Sequence, residues 1–249
     1  MHPSRRVAPG RRAWLLLRCN ILVAIGAAAP VAAAEVSVAG DVLSDYRFRG
    51  VSLSDRQPVA DGTLSGQAGP WFAGVEAISS SRGRYAVETR SAEVDLSAGW
   101  SRSFGLLTPS VGAIGYLHPG GEAANGEVFA SLAGALGPAT LTLAANYAPD
   151  QGAAPGGNLY LQARAAAAIP TTPLTLRAAV GREAGAFAGF RASGTGGVKT
   201  DWRAGVEARV LRVVVLGLDY VGNDLPRIAP GRLQKNREDG VVARVGVRF

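Results

Sequence analysis

The stretch "TRSAEVDLSAGW", residues 89–100, decides the fold because its side chains alternate between two chemical classes. Val94 and Leu96 fall on one side of an extended chain, whereas Glu93 and Asp95 fall on the other. Successive side chains of a β-strand point to opposite faces, so this period of two predicts a strand with one apolar and one charged face.

The same alternation recurs along the chain in about twelve segments of roughly ten residues, each bounded by turn residues. Their connections are short at one end and mostly longer at the other, which is typical of strands that run up and down around a barrel. The sequence therefore predicts an all-β fold, a single up-and-down antiparallel transmembrane β-barrel. The predicted strands are 36–49, 57–67, 71–79, 88–101, 105–117, 126–134, 139–148, 158–169, 173–182, 199–210, 212–221 and 240–249.

A soluble periplasmic β-protein, either a sandwich or a lipocalin-like barrel, also has alternating strands, but it buries its apolar face. Two features favour the membrane barrel. The polar face carries charges in register, as an aqueous lumen allows, and aromatic residues lie near the strand ends, as in interfacial girdles. These aromatic residues are Tyr46, Trp71, Trp100, Tyr147, Trp202 and Phe249.

Residues 1–34 have the organisation of a Sec-type signal peptide. A basic region ends at Arg18 and precedes the apolar run "ILVAIGAAAPVAAA", in which Ala32 and Ala34 form an A-x-A pattern. We expect cleavage after Ala34, which leaves residues 35–249 as the barrel domain. Sec export and the barrel-assembly machinery are then the expected partners, and the bacterial outer membrane with its lipids is the expected location.

The formal charge of +7 comes mostly from the predicted signal peptide. Without its five arginines, 21 of the 26 basic residues remain against 19 acidic ones. The barrel domain therefore lacks the basic excess that nucleic-acid binding needs, and we expect no nucleic acid as partner. Cys19, the only cysteine, also precedes the cleavage site, which excludes disulfides and thiol chemistry from the mature chain.

Catalytic and metal sites have little support in the sequence. His118 is the only histidine after the signal peptide and has no nucleophile motif near it, so we expect it on the surface. The carboxylate pairs Asp41 and Asp45, and Glu93 and Asp95, have arginines nearby that favour ion pairing over a Ca²⁺ site. The sequence predicts no catalytic, cofactor-binding or metal-ligating residue.

We expect the charged face of the strands to line the lumen. If the first strand closes on the last, Arg244 and Arg248 lie across the seam from Asp41. The predicted pore-lining residues are Asp41, Asp45, Arg47, Arg49, Glu93, Asp95, Glu127, Arg164, Arg177, Asp201, Arg203, Glu207, Arg209, Arg244 and Arg248.

The end of the first predicted strand, "SDYRFRG" at residues 44–50, interleaves aromatic residues with arginines. Period-two alternation places Arg47 and Arg49 inward and Tyr46 and Phe48 toward the outer interface. The chain ends on an aromatic residue, Phe249, preceded by apolar residues at alternate positions. This ending resembles the signal that the barrel-assembly machinery reads in outer-membrane proteins, which implies a role for Phe249 in insertion.

The sequence resembles the TorF family of proteobacterial porins, with short motifs spread along the mature chain. The matching residues are Ser44, Tyr46, Arg49 and Gly50 in a Ser-x-Tyr-x-x-Arg-Gly element, Pro58 on the next strand, Glu93 and Asp95 in "AEVDLSAGW", and Glu127 in "GEVFASLAG". The resemblance implies an outer-membrane channel and implies no particular substrate.

The sequence therefore predicts a small passive pore for ions or small polar solutes, with no cofactor and no reaction. We expect segments 183–198 and 222–239 to fold inward as a constriction. Three alternatives stay open: a non-conducting structural or surface-binding barrel, a lipid-modifying barrel enzyme, and a soluble periplasmic β-protein. The oligomeric state is also open.

Overall fold

A closed antiparallel β-barrel forms the body of the molecule. The computed structural model describes residues 34–82, 90–119, 124–151, 156–188, 197–226 and 232–249. Within these residues twelve strands hydrogen-bond in a closed ring, so the predicted all-β barrel is confirmed. The predicted signal peptide lies almost entirely outside the described residues.

The barrel wall is built from β1 and β4 to β14, whereas β2 and β3 form a separate two-stranded sheet. The strands are β1 (Glu35–Leu43), β2 (Arg47–Phe48), β3 (Val51–Ser52), β4 (Val59–Ala68), β5 (Trp71–Arg82), β6 (Arg90–Ser101), β7 (Leu107–Leu117), β8 (Asn125–Leu136), β9 (Ala139–Ala148), β10 (Asn158–Ala168), β11 (Leu174–Gly185), β12 (Gly197–Val210), β13 (Val214–Asn223) and β14 (Gly240–Arg248).

The barrel closes where the first strand meets the last. β1 pairs with β4 on one side, from Leu43 opposite Val59 to Glu35 opposite Gln67. On the other side it pairs with β14 from Ala39 to Leu43. Closure gives every wall strand two hydrogen-bonded neighbours, which leaves no exposed strand edge.

Connections differ in length between the two ends of the barrel. At one end the turns are short, as between β12 and β13, where Leu211 and Arg212 adopt left-handed backbone conformations with φ of 48° and 60°. At the other end the connections are longer, beginning with residues 44–58 between β1 and β4. This asymmetry agrees with the predicted up-and-down order.

The predicted strand bounds agree with the structure to within three residues at all but one position, the end of the first strand. That strand was expected to reach residue 49, but β1 ends at Leu43. The amide of Ser44 makes the last backbone hydrogen bond to β14, at 2.9 Å to the oxygen of Ala243. From Asp45, which is 5% exposed, the chain leaves the barrel wall and turns inward.

Side chains on the wall divide strictly between the outside and the inside of the barrel. On β9, Leu141 and Leu143 are 44% and 53% exposed, whereas Thr142 between them is 4% exposed. Other strands repeat this arrangement with outward-facing valine, leucine and alanine. Exposed apolar side chains include Val36, Val38, Leu64, Val128, Leu132, Leu161, Leu176, Val180, Leu216, Leu218, Val241 and Val245.

Exposed aromatic side chains lie at the strand ends, as the sequence indicates for Trp71, Tyr147 and Phe249. Tyr46 differs from its prediction, because it lies in the inward-turning segment and contacts a residue of the barrel interior. The short helix α1 (Arg232–Arg237) precedes β14. In the described part of the chain, no helix is long and apolar enough to cross a membrane.

Substitution of Val94 by arginine tests whether the apolar exterior faces lipid. Val94 lies mid-strand on β6 and faces outward between the buried Glu93 and Asp95. A cation there should destabilise a barrel in lipid by about 2–4 kcal/mol, but by at most about 1 kcal/mol near the interface. We therefore expect Val94→Arg to reduce the folded fraction in lipid vesicles far more than Val36→Arg near the start of β1. Equal effects would contradict a lipid-facing exterior.

Candidate functional site

Residues 44–58, here called the inner loop, fold into the barrel and contact its inner wall. Asp45 organises the start of the loop, since its carboxylate accepts hydrogen bonds from Ser52 at 2.6 Å and Ser54 at 3.1 Å. It also pairs with Arg47 at 2.7 Å. These local contacts close the chain on itself, so the arginine–aromatic alternation belongs to a compact turn and not to a wall strand.

The tip of the inner loop is a tight hairpin between β2 and β3. Its two central residues, Arg49 and Gly50, have φ of 46° and 85°, as in the turns that suit two-residue hairpins. A Cβ at Gly50 would lie 2.6 Å from the carbonyl oxygen of Gly222, so a side chain does not fit. The Asn223 side chain donates to the Gly50 carbonyl at 3.1 Å, and Lys199 Nζ donates to that of Arg49 at 2.7 Å.

The side chain of Arg49 joins the inner loop to two separate strands. One guanidinium nitrogen lies 2.5 Å from Glu127 on β8, and another lies 2.5 Å from Glu183 on β11. The guanidinium carbon also stacks 4.1 Å from the centre of the Tyr160 ring on β10. All three charged side chains are at most 6% exposed, so the two ion pairs are shielded from water.

Further polar groups satisfy the two carboxylates that hold Arg49. Glu183 accepts hydrogen bonds from Asn158 at 3.0 Å and pairs with Lys199 at 2.8 Å. Glu127 accepts from the Tyr116 hydroxyl and the Asn146 amide, each at 3.3 Å. A buried ion pair needs such additional partners, because the Coulomb attraction alone does not reliably offset desolvation.

The end of the last long connection covers the other side of the inner loop. Arg47 donates to the carbonyl of Glu238 at 2.8 Å, and Arg56 donates to the carbonyls of Glu238 and Asp239. Asn236 of α1 donates to Asp55 at 2.7 Å. The predicted constriction segment 222–239 thus contacts the interior filling, but the inner loop itself supplies most of that filling.

The second predicted constriction segment, 183–198, is wrong over its last two residues, which begin β12, and over its first three residues, which extend β11 along the wall. Phe187 follows them and is buried against Ala148 at the end of β9. Residues 189–196 lie outside the described residues.

Tyr46 and His118 meet at Glu93 inside the barrel. The Tyr46 hydroxyl donates to Glu93 at 3.3 Å, and His118 Nε2 lies 3.4 Å from the same carboxylate. Burial, together with the charges of Glu93 and Asp95, raises the pKa of Tyr46 well above its ordinary value. Tyr46 is therefore a neutral donor at physiological pH.

The prediction that His118 lies on the surface is wrong, since it is 6% exposed. Its position explains the burial. His118 directly follows β7 and continues the inward-facing register of Tyr116 on that strand. Both side chains therefore point into the barrel.

Apolar contacts fill part of the interior beneath the inner loop. Phe48 packs edge-on against Tyr116 with ring centres 6.1 Å apart. Phe72 and Phe129 stack at 6.4 Å, and Ile114 completes this buried cluster. The aromatic residue that the sequence places at an outer interface, Phe48, therefore packs inside.

Charged residues meet at the seam between the first and last strands. Arg248 Nη2 on β14 lies 2.7 and 2.9 Å from the two oxygens of Asp41 on β1. Arg244 lies 3.9 Å from the same carboxylate. These contacts confirm the prediction that both arginines lie across the seam from Asp41.

The same contacts continue along the inner wall as an ion-pair ladder. Arg244 also donates to Glu207 on β12. Glu207 lies 3.2 Å from Arg177 on β11, which pairs with Asp219 on β13 at 2.8 Å. We call this set the ladder; it comprises Arg248, Asp41, Arg244, Glu207, Arg177 and Asp219.

The structure places the predicted pore-lining residues in three groups. The buried ones are Asp41, Asp45, Arg47, Glu93, Asp95, Glu127, Asp201 and Arg244. The half-buried ones are Arg164, Arg177, Arg203, Glu207 and Arg248, together with Arg49 as a whole residue, although the Arg49 side chain is only 6% exposed. Arg209 alone is exposed, because it lies one residue from the end of β12 at the barrel rim.

Within the described ranges, four buried ionic residues of the interior were not among the predicted site residues: Asp55, Glu183, Lys199 and Asp219. Glu183 was missed because the predicted strand stopped at residue 182, although it continues the inward register of Arg177. Lys199 was assigned to a strand but was not recognised as a partner for the loop, although it shares the inward register of Asp201. No group of three or more His, Cys, Asp or Glu side chains in the described part of the chain could hold a metal ion.

Comparison with protein families gives one match. The model of the family described as bacterial protein of unknown function (Gcw_chp) matches residues 26–249. No curated protein is significantly similar to the chain. The resemblance to the TorF family stays a prediction.

Solved structures of outer-membrane channels share the fold. The NanC porin has 11% sequence identity and a TM-score of 0.52, with 86% of this chain and 99% of the porin covered. The COG4313 outer membrane channel from Pseudomonas putida F1 has 12% identity and a TM-score of 0.53, with 89% and 96% covered. At such low identity the likeness shows the fold alone, which is a porin-like β-barrel.

Removal of the Arg49 guanidinium should release the inner loop. We expect Arg49→Ala to destabilise the folded barrel by about 3–5 kcal/mol, because it removes the arginine partner of the buried Glu127 and one of the two cations that pair with Glu183. The midpoint of denaturant unfolding in detergent micelles measures this change. Arg182→Ala, which removes an exposed arginine from the outer face of β11, is the matched control and should have little effect. Similar midpoints for both variants would contradict the role of Arg49.

Substitution of Gly50 tests how closely the loop tip contacts the wall. Gly50→Ala adds both backbone strain at positive φ and a clash with Gly222. Gly69→Ala adds strain alone, since Gly69 has φ of 58° and an added Cβ there meets no atom within 4 Å. We expect Gly50→Ala to lower the unfolding midpoint clearly more than Gly69→Ala does. If the two variants unfold alike, the tip does not pack against β13 in this way.

Proposed function

Because this chain belongs to the Gcw_chp family of bacterial proteins of unknown function and folds as a porin-like β-barrel, we propose that it is an outer-membrane pore. The solutes we infer are ions or small polar molecules that cross passively. The predicted pore-lining residues and the assembly role of Phe249 are part of this proposal.

The observation that carries the proposal is the division of side chains across the wall. On β9 the exposed Leu141 and Leu143 flank the buried Thr142, and the other strands repeat this pattern. A continuous apolar exterior of this extent is unfavourable in water and favourable in lipid. The charged interior in turn suits water and polar solutes, which supports a location in the outer membrane.

We assign the constriction of the pore to the inner loop. Its residues Val51, Ser52, Leu53 and Ser54 are each at most 3% exposed, so they pack tightly within the barrel. Twelve strands enclose a lumen between the filled barrels of about eight strands and the open porins of about sixteen. An inserted loop in a lumen of this size narrows it strongly, so we expect a low conductance.

The second candidate is a barrel that does not conduct. The same tight packing of the inner loop favours it, since Arg49 is fixed to both Glu127 and Glu183. In this case the barrel would serve a structural or surface-binding role. The two candidates differ in whether the loop leaves or opens a continuous path.

A lipid-modifying enzyme receives less support. His118, the histidine that would act as a base, contacts Glu93 in the interior. A lipid substrate would approach from the outer surface of the barrel, and His118 is buried on the opposite side of the wall. The contacts of this side chain are therefore those of a structural group, and we propose no reaction.

Recordings from purified protein in planar bilayers test the proposal. We expect discrete low-conductance channels from the unmodified protein and a larger conductance from Arg49→Ala, because the inner loop is then less firmly held. Arg182→Ala should conduct like the unmodified protein. If none of the three proteins forms channels at any voltage while all are folded, the pore is refuted and the non-conducting barrel takes its place.

A further inference from the structure

Strand register brings three arginines together around one small residue of the inner wall. Ala179 on β11 lies opposite Arg164 on β10 and, on its other side, opposite Arg203 on β12. Arg177 lies two residues from Ala179 and shares its inward register. Three arginine side chains therefore start from neighbouring inward-facing positions around one small residue. We call Arg164, Arg177 and Arg203 the arginine site.

The surroundings of the arginine site are polar. Thr142 on β9 lies directly opposite Arg164 and is 4% exposed. Toward the inner loop, Gln162 donates to the Tyr160 hydroxyl at 2.8 Å, beneath the ring on which Arg49 stacks. The site therefore lies on the wall directly below the constriction, where a solute in the lumen would pass.

Arginines are concentrated on this part of the wall. The inner faces of β10 to β14 and β1 carry six arginines, namely Arg164, Arg177, Arg203, Arg209, Arg244 and Arg248. The three carboxylates Asp41, Glu207 and Asp219 at this level all belong to the ladder with Arg177, Arg244 and Arg248. The same inner faces also carry Lys199 and the carboxylates Glu183 and Asp201, which lie nearer the inner loop. The acidic residues Asp61, Glu76 and Asp95 lie on β4 to β6.

Two guanidinium groups of the site have unsatisfied donors. The Nε atoms of Arg164 and Arg177 are buried and have no hydrogen-bond partner. Arg164 forms no ion pair in the described part of the chain. A half-buried cation without a partner is costly, and an anion from solution would offset that cost.

We propose that the arginine site binds an oxyanion, a carboxylate or phosphate group of a small solute, as it passes the constriction. This inference rests on the proposed pore and names the class of solute. Guanidinium groups match both oxyanions because their planar fork donates two parallel hydrogen bonds. The Thr142 hydroxyl and the Gln162 amide supply neutral polar groups for the rest of a small polar molecule.

Chloride NMR line broadening of the folded full-length barrel in detergent tests the site without requiring conduction. We expect the unmodified protein to broaden the chloride signal, and inorganic phosphate or acetate to reverse the broadening by displacement. Arg164→Gln should weaken phosphate binding about tenfold, the loss expected for one charge-assisted hydrogen bond. Arg182→Gln removes the same charge from the outer face of β11 and should leave phosphate binding unchanged.

A second variant distinguishes loss of the site from misfolding of the protein. Arg164→Lys keeps the charge and should retain chloride broadening, but it should lose part of the phosphate competition because lysine lacks the planar fork. Phosphate competition by Arg164→Gln equal to that of the unmodified protein would overturn the proposal, as would an equal loss in Arg182→Gln. If the barrel binds phosphate at Arg164 but never conducts, the arginine site is supported and the proposed pore is refuted. If the barrel conducts and the Arg164→Gln variant binds phosphate as tightly as the unmodified protein, only the arginine site is refuted.

Discussion

The buried contacts of Arg49 with Glu127 and Glu183 determine how the interior of this barrel is organised. The two carboxylates belong to β8 and β11, which are not neighbours, so one side chain fixes the inner loop against distant parts of the wall. Loss of the Arg49 guanidinium removes the arginine partner of Glu127 away from water, which is strongly destabilising. The loop therefore has one favourable position, and its tip packs against β12 and β13 accordingly.

The outer face of the wall and the interior of the barrel suit opposite environments, one apolar and one polar. Outward valine and leucine side chains need an apolar environment, whereas the loop brings backbone carbonyls inside that need hydrogen-bond donors. Lys199 and Asn223 donate to two of these loop carbonyls, and Arg47 of the loop donates to the carbonyl of Glu238. Below the loop, one side of the wall carries the ladder and the arginine site, and another side carries the apolar cluster of Phe72, Ile114 and Phe129. A constriction above a charged vestibule is the arrangement from which we infer selective passage of small solutes.

Period-two alternation was sufficient to predict most of the wall, and for β9 the predicted bounds 139–148 coincide with those observed. It failed at residues 44–49 because a compact hairpin can carry the same alternation as a wall strand. Contacts of Asp45 with Ser52 and Ser54 distinguish the two, and these depend on the folded turn. The arginine site was equally beyond prediction, since it requires the register between neighbouring strands. Alternation predicts which residues face inward, but it does not predict which residues they contact.

The most direct test of a conducting interior is chemical modification of one lumen residue during single-channel recording. Ser131 on β8 faces inward opposite Ser110, whereas its neighbour Leu132 is 43% exposed on the outer face. A cationic thiol reagent should lower the conductance of Ser131→Cys and leave that of Leu132→Cys unchanged. Complete labelling of Ser131→Cys with no change in conductance, or an equal change in both variants, would contradict passage through the barrel interior.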